Sequence, residues 1–420
     1  MTEPRGVAEP PGPISRDFWT FWIGQTISKL GDSVSNFILP LLIFKLTGSA
    51  VNLALQVAAQ MLPYLLFGLV IGAFVDRVER KRMMILTDLG RALMVATIPA
   101  LAIWGELPVW WIYAVGFINS TLSIFFDAGE FAAIPSLVSQ DDLVTANGRI
   151  QASYSAAQII GPLIGGALLA LIAIYDLIWV DATSFLVSAI SIALVRKRFN
   201  TDDETETDPT TIWHDVREGL SYVLKHPVLR NISLMMAIVN FVNGGFYAEE
   251  VLFAKERLHA TDSQIGILFA AGSAGIVITG LLAGKLRKRW SFSKVALTAL
   301  MMNGLGIFIF SQMRLFWPAA IIGAIASGLG ILFNINTGSL RQAIVPNKML
   351  GRVMSIASVL AWSAIPLGAV LGGYIIEATD NVAAVFAGIG LLTIVIPMVF
   401  SFTPLGHADD YLPKPDRPAA

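Results

Sequence analysis

Ionisable residues stand inside long apolar stretches of this chain, where a charge is costly. They form three pairs, each at a spacing of three residues: Lys29 and Asp32, Asp88 and Arg91, and Asp127 and Glu130. Ionisable side chains within membrane-spanning segments mark ion or substrate pathways by default. A carboxyl group in an intermittently wetted cavity of low dielectric can bind and release a proton near neutral pH. These residues therefore predict a proton-handling site inside an apolar protein.

The pairs predict different roles. Asp32 and Glu130 are the preferred carriers of a coupling proton, and Asp127 is a third candidate. The alternative is a structural salt bridge, from Lys29 either to Asp32 or across to the fourth apolar segment. Asp88 and Arg91 stand at i and i+3, where they can pair along one helix, and we predict a structural charge pair there.

Catalytic and metal-binding patterns are missing from the sequence. Cysteine is absent, and the four histidines are scattered over loops and tail without the spacing of metal ligands. No Gly-x4-Gly-Lys-Ser/Thr phosphate loop occurs. We therefore predict no enzyme, no cofactor and no metal. The net charge of -1 gives no indication of a nucleic-acid partner.

The composition places these residues in a lipid bilayer. Hydrophobic residues make up 55% of the chain and charged residues 14%, against about a quarter charged in soluble domains. A membrane-spanning helix needs about 20 mostly apolar residues. Twelve segments qualify: 18–46, 51–75, 83–104, 108–137, 147–174, 176–195, 229–254, 263–285, 292–312, 315–340, 352–376 and 382–403.

One long polar stretch separates the sixth and seventh spans. Its second part places Ile212, Val216, Leu220 and Val223 at helical spacing, which predicts an amphipathic helix on the membrane surface. We therefore predict an all-α membrane protein of twelve transmembrane helices in two pseudo-symmetric six-helix bundles. The predicted units are a tail (1–16), a first bundle (17–195), a linker (196–228), a second bundle (229–403) and a second tail (404–420).

The placement of basic residues predicts the orientation. Most Lys and Arg fall in the tails and in the loops that lie on the same side as the tails. By the positive-inside rule, both termini are then cytoplasmic. Residues 1–16 are polar and proline-rich, so we predict no signal peptide. The expected location is the inner (plasma) membrane, and the expected oligomeric state is a monomer.

Two motifs recur between the predicted halves. The segment 72–82 after the second span has a degenerate copy at 280–289 after the eighth. Gly161-Pro162 and Gly165-Gly166 in the fifth span correspond to Gly368 and Gly372-Gly373 in the eleventh. Parallel six-helix repeats are a known transporter architecture.

On these residues the sequence resembles the major facilitator superfamily, from about residue 16 to 403. Within it, the chain is most similar to the macrolide-efflux and siderophore-exporter branch of the drug–proton antiporters. The resemblance implies a gating loop made of Gly72, Asp76, Arg77, Arg80, Lys81 and Arg82. It implies that Asp76 docks near Gly351, at the start of the eleventh span, and latches one conformational state.

The same resemblance implies a flexible seam and leaves one gap. Gly161, Pro162, Gly165 and Gly166 match the helix 5 antiporter motif, which implies close packing against the eighth span. Exporters of this type often carry an arginine midway along the fourth span, where this chain has Asn119. A proton relay through that arginine is therefore not carried over.

Aromatic, Met and amide side chains in the central spans are the candidate substrate contacts, because together they suit a bulky amphipathic molecule. They are Gln25, Asn36, Phe37, Met61, Tyr64, Phe125, Tyr154, Gln158, Asn240, Asn243, Phe246, Asn334, Asn336 and Trp362.

The function expected from these features is export of an amphipathic, drug-like or macrolide-like small molecule by alternating access, in exchange for protons or another ion. Two alternatives remain open. A carrier of siderophores, lipids or metabolites, or an importer, would use the same fold. A membrane sensor or scaffold that does not transport would need a sizeable signalling region, and residues 404–420 are short and proline-rich.

Overall fold

The computed structural model describes residues 15–75, 78–138, 142–200 and 212–411, and helices dominate these ranges. The first six are α1 (Arg16–Thr47), α2 (Ala50–Val75), α3 (Arg80–Ile103), α4 (Val109–Leu137), α5 (Leu143–Leu168) and α6 (Ile174–Leu194). A shorter helix, α7 (Ile212–Lys225), follows. The rest are α8 (Pro227–Glu256), α9 (Asp262–Arg289), α10 (Phe292–Gln312), α11 (Phe316–Ile344), α12 (Asn347–Trp362), α13 (Ala364–Thr379), α14 (Val382–Phe400) and a 3-10 helix (Pro404–Tyr411).

Local signals set the ends of the first helix. The Ser15 hydroxyl accepts a hydrogen bond from the Phe18 backbone N–H (3.2 Å) and caps the N-terminus of α1. At the other end, Gly48 adopts a left-handed conformation with φ 61°, which glycine enters without a steric penalty. Between these caps run 32 residues, more than a bilayer requires.

Ten helical segments in the described part of the chain are long and apolar enough to cross a membrane. They confirm a multi-pass membrane protein, while the count of twelve spans stays a prediction. The two predicted spans outside the ten are α5 and α8. Both have the necessary length, but polar residues interrupt them: α5 carries Arg149 and Gln151, and α8 carries Asn240 and Glu249.

The predicted eleventh span contains a one-residue interruption, although Ile356–Thr379 still forms one candidate span. It was expected as one helix over residues 352–376, and it is divided at Ser363 into α12 and α13. The cause is Pro366, which has no N–H to donate to the carbonyl of Trp362 and whose ring crowds that carbonyl.

Helix contacts occur both within and between the first and second halves of the chain. Helices α1 to α6 are called here the N group and α8 to α14 the C group, and each group contains several helix pairs in contact. The main contacts between the groups join α2 to α13 and α5 to α9. Helix α7 packs on α12 and α8, with Val223 buried beside Leu229 and Val353.

Hydrophobic cores distinguish the two ends of the molecule. We call the end where α1 begins the near end and the end where α1 finishes the far end. At the far end, one buried cluster combines Phe37 and Ile98 of the N group with Phe253, Phe310 and Phe386 of the C group. Toward the near end the buried clusters separate, one confined to the N group and another to the C group. The two groups are therefore joined at the far end by a common core.

Candidate functional site

A polar cavity of about 540 Å³ lies inside the molecule. Its walls come from α1, α2, α3, α4 and α5 of the N group and from α9 of the C group. Four charged side chains line it: Lys29, Asp32, Arg91 and Asp127. The ionisable residues singled out in the sequence therefore meet in one place, although they lie on three helices.

Arg91 is the buried centre of the first charge cluster. Its Nη2 donates to both carboxylate oxygens of Asp32, at 2.7 and 2.9 Å, and its Nε donates to Asn119 Oδ1 at 3.3 Å. Asp88 lies 3.6 Å from Nη1, and the Phe185 ring centroid lies 4.0 Å from the guanidinium carbon. The Arg91 side chain is 2% exposed, so the cluster holds Asp32 in a shielded, charge-assisted ion pair through one guanidinium nitrogen.

Lys29 and Asp127 form a second, more open pair. Their Nζ and Oδ1 atoms lie 3.0 Å apart, with side-chain exposures of 18% and 44%. The Lys29 ammonium also lies 4.8 Å from the centroid of the Tyr154 ring, a favourable position for a cation. Of the two partners left open for Lys29, the structure selects the one on the fourth span. Asp127 is the most accessible acid of the cavity.

Glu130 lies behind the cavity wall, three residues from Asp127 on α4. Its side chain is 4% exposed and accepts a hydrogen bond from the Tyr154 hydroxyl. Its other carboxylate oxygen has no hydrogen-bond partner among the described residues. Tyr154 therefore contacts both Lys29 and Glu130, and it connects the exposed ion pair with the buried acid.

The proposed substrate contacts divide between the cavity and other sites. Asn36, Phe37, Met61, Tyr64, Tyr154 and Gln158 line the cavity. Trp362 lines a second, smaller cavity, together with Met61 and Tyr64.

The remaining candidates have other partners. Gln25 donates to the Ser188 hydroxyl of α6 (2.9 Å), and Phe125 stacks edge-on against Phe74. Asn240, Asn243, Asn334 and Asn336 donate to backbone carbonyls of α8, α11 and α12. Phe246 packs in the far-end core. None of these seven residues is among those that line the first cavity.

Several lining residues were not predicted as contacts: Ser33, Gln60, Asn119, Ser120, Ser123, Phe269 and Ser273. A signal for some of them was present, because Asn119, Ser123 and Asp127 recur at i, i+4 and i+8 along α4 and share one face. The sequence gives no such signal for Phe269 and Ser273, because the packing of α9 on α5 brings them to the cavity.

The gating loop lies partly outside the described residues, which end at 75 and resume at 78, so Asp76 and Arg77 are not placed. Gly72 lies in α2. The basic residues that follow contact carbonyls near the C-terminus of α6: Arg80 Nη1 lies 3.3 Å from Phe199 O, and Lys81 Nζ lies 2.6 Å from Val195 O. Arg82 is exposed and lies 3.8 Å from Glu79. Lys81 therefore places a cation at the C-terminus of α6, where it is stabilising, and Arg80 joins the start of α3 to the segment that follows α6.

The glycines of the fifth span lie against α1 and α9. A Cβ atom at Gly161 would lie 2.3 Å from the Ser33 hydroxyl, and one at Gly165 would lie 2.8 Å from the Phe37 ring. Gly166 faces the C group, where its carbonyl accepts a hydrogen bond from the Ser263 hydroxyl at 2.7 Å. Pro162 lines the cavity, and its carbonyl faces Gly266 of α9. This motif therefore lies where the two helix groups meet.

Solved structures share this fold. A bacterial homologue of the iron transporter ferroportin, in an inward-facing state, matches with a TM-score of 0.72 and 17% identity, over 92% of this chain and 99% of that chain. The nucleoside transporter NupG matches with a TM-score of 0.73 and 11% identity, over 92% and 98%. At such identities the likeness concerns the fold alone. The all-helical fold and its ten candidate spans among the described residues define the class, a multi-pass membrane protein.

Sequence comparison gives the particular family. The model of the transmembrane secretion effector family matches residues 10–419, and the chain belongs to this family of the major facilitator superfamily. It is 27% identical over 358 residues to macrolide efflux protein A of Streptococcus pyogenes, covering 84% of this chain and 88% of that protein. It is 27% identical over 405 residues to the multidrug efflux pump Tap of Mycolicibacterium fortuitum, covering 92% and 95%. The resemblance stated from the motifs is confirmed, and the chain is a transporter, not an enzyme.

Proposed function

We propose that this protein exports amphipathic, drug-like small molecules from the cytoplasm in exchange for protons. The observation that carries the proposal is the cavity, in which the accessible Asp127 is paired with Lys29. Aromatic rings, Met61 and amides surround this pair and suit a substrate with apolar bulk and a few polar groups. The relatives named for macrolide and multidrug efflux support the same substrate class.

The orientation follows from the charge pattern. The near end carries the basic segments 80–82, 196–198, 225–230 and 285–294 of the described residues, so by the positive-inside rule it is the cytoplasmic end and both termini are cytoplasmic. The N and C groups then correspond to the two six-span bundles, with the stretch 196–228 as the linker. The membrane is the inner (plasma) membrane, and the protein acts as a monomer.

Transport occurs by alternating access. The two groups share a core at the far end and have separate cores toward the near end, an arrangement suited to loading from the cytoplasm. Rocking of the groups about the cavity closes the near end and opens the far end. In that second state Asp76, beyond the described residues, docks at the start of α12 near Gly351, and the carboxylate is stabilised at the positive end of the helix.

Proton exchange centres on three acids. Asp127 is the site where a cationic group of the substrate, a proton and the Lys29 ammonium compete, because it is the accessible acid of the cavity. Glu130, which is buried next to the cavity, accepts a proton and is linked to the cavity by its hydrogen bond with Tyr154. Asp32 is held by Arg91 and exchanges a proton only if that pair opens.

The test uses reconstituted vesicles with an imposed pH gradient and an internal pH-sensitive dye. A macrolide, a lipophilic cation and a siderophore are added in turn, with protein-free vesicles as the baseline. We expect the macrolide or the lipophilic cation to dissipate the gradient, and Asp127→Asn to reduce the rate at least about tenfold, as expected when the charged partner is lost. Asp410→Asn, an exposed acid in the C-terminal 3-10 helix, is the matched control.

If only the siderophore dissipates the pH gradient, the substrate is a siderophore and not a drug-like molecule. Transport that is unchanged in Asp127→Asn would remove Asp127 from the exchange, and a gradient that no compound affects would contradict proton-coupled drug export.

A further inference from the structure

An acidic residue of the C group caps a helix of the N group at the far end. Glu377 lies in the last turn of α13. Its Oε1 accepts a hydrogen bond from the backbone N–H of Val51 at 3.2 Å and another from the Ser49 hydroxyl. Helix α2 begins at Ala50, so Glu377 satisfies one of the N–H groups that the first turn of a helix leaves unpaired. A carboxylate at this position also interacts favourably with the positive end of the helix dipole.

Ser49 completes the cap from within its own segment. Its hydroxyl oxygen accepts a hydrogen bond from the Asn52 N–H at 3.2 Å, as an N-cap serine does. The first turn of α2 therefore has one local acceptor and one acceptor from a residue more than 300 positions away in sequence. The second acceptor is available only while α13 lies against α2.

Close helix packing brings Glu377 to this position. One turn before Glu377, Gly373 of α13 faces α2, and a Cβ atom there would lie 2.9 Å from Ala50 O and 3.0 Å from Ala54 Cβ. Further along the same contact, Ala54, Ala248 and Ala369 form a buried patch of small side chains. Small residues let helix backbones approach closely, so the cap forms only when the far ends of the two groups are together.

A second contact ties the groups at the same end. Lys45 in the last turn of α1 lies 2.7 Å from Asp262 in the first turn of α9, and Lys255 lies 2.6 Å from the same carboxylate. Asp262 therefore lies between one cation of the N group and one of the C group.

We propose that Glu377 and the N-terminus of α2, residues 49–51, form a far-end latch that holds the transporter open at the near end and that breaks in every transport cycle. This inference rests on the proposed alternating-access function. Glu377 is exposed, so water competes for its hydrogen bonds and the latch is weak enough to open. Loss of an N-cap changes an equilibrium by about fivefold, enough to bias two states of similar stability.

The experiment measures the separation of the near ends. The chain contains no cysteine, so Asn147→Cys in α5 and Gln342→Cys in α11, both exposed positions near that end, can carry two spin labels without further changes. Distances are recorded by pulsed electron resonance on the full-length protein in lipid nanodiscs. The latch variants are Glu377→Ala, which removes the acceptor, and Glu377→Gln, which keeps an acceptor oxygen without the charge.

We expect Glu377→Ala to increase the population with the shorter near-end distance about fivefold, and Glu377→Gln to increase it less. The control is Glu106→Ala, because Glu106 lies at the far end in the loop after α3, is exposed, and its side chain has no hydrogen bond or ion pair among the described residues. A distance distribution in Glu377→Ala equal to that in Glu106→Ala would overturn the latch.

If the protein does not transport by alternating access, the distance measurement gives a result different from that of a failed latch. In that case the unsubstituted labelled protein has a single near-end distance at every pH and with every substrate tested, and no variant introduces a second. If two distances interconvert but Glu377 does not affect their ratio, alternating access stands and only the latch is wrong. Glu377→Gln also separates the latch from misfolding, since it leaves the side-chain volume unchanged.

Discussion

At the scale of single residues, burial separates acids that look equivalent in sequence. Asp32 and Asp127 each pair with a cation in the same cavity. The Asp32 pair is shielded, with Arg91 2% exposed and Asp32 16% exposed, whereas the Asp127 side chain is 44% exposed. A buried guanidinium depends on its counter-ion, while a partly solvated lysine can be stabilised by water. The two acids are therefore expected to contribute differently to stability.

The prediction at this scale compares two neutral substitutions. Asp32→Asn removes the closer of the two carboxylates that pair with buried Arg91 among the described residues and leaves Asp88 at 3.6 Å. It is expected to cost about 3 kcal/mol or more. Asp127→Asn breaks a partly exposed pair and is expected to cost less than about 1 kcal/mol. Thermal unfolding of the purified protein in detergent measures both, with Asp410→Asn as the surface control. Equal losses of stability in the two cavity variants would contradict this view of the ion pairs.

At the scale of helices, contact between α5 and α9 depends on the absence of side chains. A Cβ atom at Gly266 of α9 would lie 2.3 Å from the Pro162 carbonyl oxygen and 3.2 Å from Gly166 Cα. Backbone atoms cannot move aside as a flexible side chain can. The helices must therefore separate if this glycine is replaced, and the seam between the groups opens at the far end.

Gly266→Ala is accordingly expected to destabilise the protein by about 1–3 kcal/mol and to slow transport. The matched control is Gly280→Ala in the same helix, where the nearest atom to an added Cβ lies 4.0 Å away. That variant should be as stable as the unsubstituted protein or slightly more stable, because alanine favours helix over glycine. Thermal unfolding and the vesicle transport rate provide the two measurements. If the two variants behave alike, the close seam is not required.

At the scale of the whole molecule, the distribution of cores makes the two ends unequal. One cluster crosses between the groups at the far end, and the near-end clusters stay within their own group. The basic loops add a second inequality, because they are concentrated at the near end. Both features agree with the proposed direction of export, from the near end to the far end.

Cysteine labelling tests that direction in intact cells. We expect Glu106→Cys, in the far-end loop after α3, to react with a membrane-impermeant maleimide added outside. Tyr411→Cys, at the end of the near-end 3-10 helix, should react only after the membrane is permeabilised. The cysteine-free parent chain supplies the background. The opposite pattern would reverse the assigned orientation, and with it the direction of transport.

The membrane fold class and the superfamily could be predicted from the sequence. Apolar segments, charge placement along the loops and short motifs are local or statistical properties, and they remain visible whatever the helices pack against. For this reason the chain was recognisable as a major facilitator protein, and its unusual ionisable residues could be identified before any contact was known. The interruption of the eleventh span at Ser363 was not predicted, because hydropathy is continuous across Pro366.

The ion-pair and hydrogen-bond partners of these side chains were decided only by the tertiary structure. Lys29 pairs with Asp127, not with its neighbour Asp32, and Asp32 pairs with Arg91. Gln25 faces α6 although it lies on the same helix as the cavity residue Asn36. Composition identifies a polar residue within a span, but the face that it presents depends on the rotation of each helix against neighbours distant in sequence. The cap that Glu377 places on α2 arises in the same way, because two helix ends more than 300 residues apart meet only after the whole chain has packed.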